Sequence, residues 1–155
     1  MSKKNTGCLF GWLSFFSSKS SGKLKHHAPV YKKKFLLTKN ELYFYKELKR
    51  IANNLNLCIL AKIRMADLVE PKSSGKAYYS EFSKIRAKHV DFALCNPENL
   101  AIVLLIELDD NSHGSKADSE RDSFVEAVYR DTGYKLLRIR GTANLEKKII
   151  SILSN

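Results

Sequence analysis

From residue 38 onward the apolar positions follow two rhythms, the three-to-four spacing of helices and the short dense runs of strands. Thr38-Lys-Asn-Glu41 has the form of a capping box, and Phe44, Leu48, Ile51 and Leu55 follow on one stripe, which predicts a helix opening at Thr38. Leu57 to Ile63 reads as a strand. The polar stretch Glu70 to Lys76, with Pro71 and Gly75, reads as loop, and Tyr78 to Arg86 as a helical turn. His89 to Cys95 and Ala101 to Asp109 are the second and third strands; Asn96-Pro-Glu-Asn99 between them has turn chemistry and implies an antiparallel hairpin. Ser115 to Thr132 is a predicted helix with Phe124, Val125 and Val128 inward and Gly133 as its stop. Lys135 to Ile139 is a fourth strand and Asn144 to Leu153 a final amphipathic helix. The order is αβββαβα, with no internal repeat.

Within this pattern the acids Asp91, Glu107, Asp109 and Asp110 stand out. The run Ala101 to Leu108 is apolar except for Glu107, and an ionised carboxylate there is costly unless a cation or donor meets it. Converging carboxylates suit a hard divalent ion, magnesium before others, and hence metal-assisted chemistry on a phosphate.

The 155 residues, 44% of them apolar, suffice for one globular core plus a tail. The net charge of +11 is uneven: residues 1–37 carry eight lysines and no acid. Residues 1–35 read as a basic, partly hydrophobic arm and linker, and 36–155 as the domain. Such an arm suits phosphate backbones or anionic lipid. Its apolar run, residues 8–16 with Trp12, Phe15 and Phe16, is too short to span a bilayer and is a candidate for peripheral membrane contact. Cys8, Cys58 and Cys95 form neither a disulfide framework nor a CxxC site, which fits a reducing cytoplasm.

The element order, with an acid on the second strand and Glu-x-Asp on the third, resembles the PD-(D/E)XK nuclease superfamily. The segments HVDF, IELDDNSH, DSERD and GYKLLRIR look closest to a bacterial family, domain of unknown function 2726, and similar to very-short-patch mismatch-repair endonuclease domains. The resemblance covers about residues 36–153. It implies an α/β (α+β) fold with a restriction-endonuclease-like αβββαβ core, a central mixed four-stranded sheet flanked by helices. It further implies a magnesium- or manganese-dependent endonuclease acting on nucleic acid, DNA foremost. Asp91 and Glu107 would hold the metal, with Asp109 as a further ligand standing where the family's lysine usually stands. A carboxylate cannot supply that lysine's positive charge, so Lys62 or Lys88 is expected to bring it from a neighbouring strand. His113 becomes the candidate general base. Glu41 is the auxiliary acid of the first helix, and Arg121 and Arg138 would hold phosphate or brace the acids.

Each assignment has a structural competitor. Capping alone explains Glu41, pairing with Lys88 or Arg64 explains Asp91, and turn or loop geometry explains Asp110 and His113. Asp118 or Asp122 would account for Arg121. Alternation places Glu107 and Asp109 on one face with Val103 and Leu105, and Asp91 with His89 and Ala93. With Cys95 opposite Leu100, Asp91 would face Leu104, roughly 10 Å from Glu107. A shared ion therefore requires a longer loop or a bulge that slides the register by about three residues. A nuclease-fold binding module without catalysis is the alternative reading, and a membrane-peripheral scaffold addressed by its arm is the third.

Overall fold

The computed structural model describes residues 30–109 and 116–154, with side chains in the second stretch from Ser123 onward. The chain divides into two units, Met1–Lys34 and Phe35–Asn155, and the second carries all the regular structure described here. Asp110 and His113, and the side chain of Arg121, lie outside the described residues.

Helix α1 spans Lys39–Asn54 and is capped as its sequence demands. The Thr38 hydroxyl accepts from the Glu41 amide at 3.3 Å, and Glu41 Oε2 accepts from the Thr38 amide at 2.8 Å. Strand β1 (Cys58–Arg64) follows, then a 3₁₀ turn over Met65–Asp67 and helix α2 (Gly75–Ile85). The expected helical turn is thus a three-turn helix, started by Gly75 at φ +60° and anchored by Phe82 and buried Ile85. Strands β2 (His89–Cys95) and β3 (Ile102–Leu108) form the hairpin. Helix α3 (Lys116–Asp131) ends before Gly133, whose φ of +82° a side chain would strain. Strand β4 (Leu136–Ile139) and helix α4 (Leu145–Leu153) close the fold.

The sheet is mixed, in the order β1-β2-β3-β4. The first three strands run antiparallel, and β4 joins β3 in parallel after the α3 crossover. Each face carries its own core. Phe44, Leu48 and Ile51 of α1, with Leu145 and Ile149 of α4, pack on Phe92, Leu94, Leu104 and Ile106. On the opposite face Ile85, Val125 and Tyr129 pack on Val90, Ala93, Cys95 and Leu105.

The hairpin register decides where the acids meet. The Asn96 amide donates to the Ala101 carbonyl at 2.9 Å, and Cys95 lies opposite Ile102, so the loop is longer than the simple turn and the pairing has slid by two positions. An irregularity between Leu94 and Cys95 leaves Val103 as an extra residue, sliding the pairing by one more. From Leu94↔Leu104 to Phe92↔Ile106 the ladder then runs regularly, and the same register continued one step would bring Asp91 level with Glu107. The simple register, with Asp91 facing Leu104, is not adopted. Strict alternation fails as well, because Val103 packs on the α1 side and Leu105 on the α3 side.

Candidate functional site

A left-handed residue in the edge strand builds the first half of the site. Lys62 has φ +56°, a conformation that costs a non-glycine residue about 1–2 kcal/mol. Its register neighbours Ala61↔Phe92 and Ile63↔Val90 set it across from Asp91. The kink reverses the strand's faces: Ala61 packs on the α1 side and Ile63 on the α2 and α3 side. It also delivers the Lys62 ammonium between two carboxylates, 2.6 Å from Glu41 Oε1 and 2.7 Å from Asp91 Oδ1. Asp91 is held from its other oxygen, where Oδ2 accepts the Leu108 amide at 3.0 Å. All three side chains are largely withdrawn from solvent, Lys62 26%, Glu41 15% and Asp91 22% exposed.

The electrostatics are mutually reinforcing. Burial alone would push the Glu41 carboxyl up, but hydrogen bonds from Lys62 and the Thr38 amide outweigh it and hold the pKa below the ordinary 4.5. Burial likewise disfavours charged Lys62, and the hydrogen bonds to Asp91 and Glu41 reverse this, leaving its pKa above 10.5.

The second half centres on Glu107. Parallel pairing places Glu107 beside Arg138, and Arg138 Nη2 lies 3.1 Å from Glu107 Oε2. Arg138 Nε sits 2.9 Å from Glu126 Oε1 on α3, so one guanidinium ties the strand acid to the crossover helix. Burial, and secondarily the Glu107 charge, pushes the neighbouring Tyr129 hydroxyl well above its ordinary value and keeps it protonated. Arg138 also walls an open cavity of about 470 Å³ with Glu126, Arg130, Gly133, Tyr134 and Leu136.

The expected residues thus divide. Glu41, Lys62 and Asp91 converge, and Glu107 joins Arg138 on the adjacent strand. One Glu41 oxygen caps α1 and the other accepts from Lys62. Asp91 takes neither Lys88 nor Arg64: Arg64 pairs with Asp67 at 2.6 Å, and the Lys88 ammonium stands 5.7 Å from the Phe124 ring centre. Asp109 is half-buried past the end of β3, its amide bonded to the Ile139 carbonyl at 3.1 Å. Glu126 and the Leu108 amide escaped the sequence reading, since both act across elements and leave no local spacing. Among the described residues no three His, Cys, Asp or Glu side chains converge on one point; the carboxylates are interleaved with cations instead.

Comparison with known proteins adds one finding. The model of a family described as protein of unknown function (DUF2726) matches residues 33–153. No curated protein and no solved structure matches the chain significantly.

Proposed function

This chain belongs to the DUF2726 family, and we propose that its strand-borne acids make it a metal-dependent nuclease of PD-(D/E)XK type, hydrolysing phosphodiester bonds of nucleic acid, DNA foremost. The observation that carries the reading is the slid register: the β2–β3 ladder reaches Phe92↔Ile106, one step short of Asp91 and Glu107, where the simplest hairpin would set Asp91 against Leu104. Apart from helix α2, inserted between β1 and β2, the order of helix, three antiparallel strands, crossover helix and parallel fourth strand is that expected of the fold's core.

A hard divalent ion would be held by carboxylate oxygens of Asp91 and Glu107, with the Leu108 carbonyl and Asp109 as further ligands, and would displace the cations that now engage those acids. Magnesium or manganese bound there would polarise the phosphate and activate water. Lys62 supplies from β1 the positive charge that Asp109 cannot, and Glu41 keeps that ammonium charged and aimed at Asp91. Arg138 braces Glu107 rather than reaching for phosphate. His113 as general base and Arg121 as phosphate contact complete the proposal on the strength of the family resemblance.

The test is cleavage of supercoiled, linear and mismatched DNA with magnesium, manganese or EDTA, beside Glu107→Ala at equal concentration. Metal-dependent nicking lost in the variant supports the reading. A second reading, a nucleic-acid-binding module without catalysis, draws on the same ion pairs: Lys62 and Arg138 already match the charge of the acids. It predicts no cleavage, and equal DNA binding by both proteins in EDTA.

A further inference from the structure

One face of the domain is built in a way that neither catalysis nor stability requires. The inward stripe of α1 is Phe44, Leu48, Ile51 and Ala52. Its outward stripe, at the same helical spacing, is Lys39, Leu42, Tyr43, Lys46, Lys49 and Arg50, all exposed. Leu42 is 46% exposed and Tyr43 66%, and immediately before the helix Phe35 and Leu36 are 94% and 68% exposed. Helix α4 lies alongside, joined to α1 by Arg50 Nη2 and Glu146 Oε2 at 2.8 Å, and turns Lys147 and Ile150 outward. Among the described residues, Glu47 of α1 and Glu146 of α4 both pair with Arg50.

We infer that the outer face of α1 and α4 is a docking surface for an anionic lipid bilayer. Charge complementarity supplies the attraction, since each lysine near an anionic leaflet shifts partition about fivefold. The apolar component selects lipid over nucleic acid. A phosphodiester backbone has no use for leucine, isoleucine and phenylalanine placed between lysines, whereas the headgroup–acyl boundary accepts them while lysine stems reach outward. Tyr43 suits the same boundary, with an apolar ring and a polar tip. The sequence ahead of the domain carries the same composition: eight lysines and no acid over residues 1–37, with the apolar run 8–16. The surface is independent of Asp91 and Glu107, so it stands or falls apart from the nuclease reading.

The experiment is flotation of the full chain with phosphatidylcholine vesicles, with and without phosphatidylglycerol. Two variants run beside it, Lys39→Gln/Lys46→Gln/Lys49→Gln and Leu42→Ser/Tyr43→Ser, both at exposed positions and both checked for unchanged melting. The chain is expected to float with the anionic vesicles only. The lysine variant should lose about a hundredfold in partition, and the apolar variant at least about tenfold. Absence of anionic binding overturns the proposal, as does a change under about twofold in both variants, which would leave the arm as the sole contact. If the lysine variant weakens duplex DNA binding while the apolar variant leaves flotation intact, the face serves nucleic acid and the lipid assignment is overturned.

Discussion

Replacing Lys62 by methionine tests the logic of the site most directly, because one ammonium there serves two carboxylates. At 2.6 and 2.7 Å, each contact has a gross Coulomb energy of about 6 kcal/mol in a medium of effective dielectric near 20. Most of that is offset by desolvation of the partners. Fully exposed pairs contribute about 0–1 kcal/mol, while breaking a buried pair from one side costs about 3–5 kcal/mol. With side chains 15–26% exposed, the triad falls between, and Lys62→Met is expected to cost about 2–3 kcal/mol. Urea unfolding at neutral pH measures it, and a double-mutant cycle with Asp91→Asn isolates one arm at about 1–1.5 kcal/mol. The pH dependence gives a second readout. Glu41 has a depressed pKa, so its contribution is complete above 4.5 and is lost as the pH falls through the depressed value. Lys62 has a raised pKa, so its contribution is complete below 10.5 and is lost as the pH climbs past the raised value. Lys62→Met should flatten both limbs. A cost below about 0.5 kcal/mol with no coupling to Asp91 would refute a bridging Lys62.

The second ion cluster makes an asymmetric prediction: Arg138→Met, which removes the ion pair at the largely withdrawn Glu107 (17% exposed), should cost about 2–4 kcal/mol. Glu126→Gln, at a side chain 53% exposed, should cost under about 1 kcal/mol in the same denaturation assay. Phe92 is fully buried and stacks on Phe44 with ring centres 5.5 Å apart; Phe92→Ala should cost about 3–5 kcal/mol, read as a lowered Tm. Thr38→Ala removes one half of the capping box and should cost about 1 kcal/mol, with the helical circular-dichroism signal reduced by fraying at α1.

Local signals were legible and long-range ones were not. The bounds of β2 and the capping box could be read because alternation, turn residues and a Thr-x-x-Glu spacing are written in a few adjacent residues. Helix α2 was under-read because only Phe82 and Ile85 anchor it and its Gly75 start looks like loop. The slide of three in the hairpin register follows as a requirement of a shared ion, not from the residues themselves. It depends on the length of a loop and on one extra residue, neither of which alters the hydrophobic pattern. Lys62 was suspected for its charge, but nothing marks a lysine as a left-handed residue, and that conformation is what turns it to Glu41 and Asp91. Capping is legible at Glu41 but its second partner is not, since Lys62 reaches the other carboxylate oxygen from a different element.

The hairpin tip has a consequence at a distance. Asn96 and Asn99 hold the loop with their side-chain oxygens, accepting the amides of Glu98 and Ala101 at 2.8 and 2.9 Å. The tip begins about 17 Å along the strand from Asp91, yet the spacing it dictates chooses which β3 residue stands across from that acid. Shortening the loop, or loosening the two asparagines, would reset the acid pair without touching it. The tip behaves as the adjusting screw of an instrument whose working end lies elsewhere, and a screen for loss of the proposed nuclease activity is expected to find hits at Asn96 and Asn99 as well as among the acids.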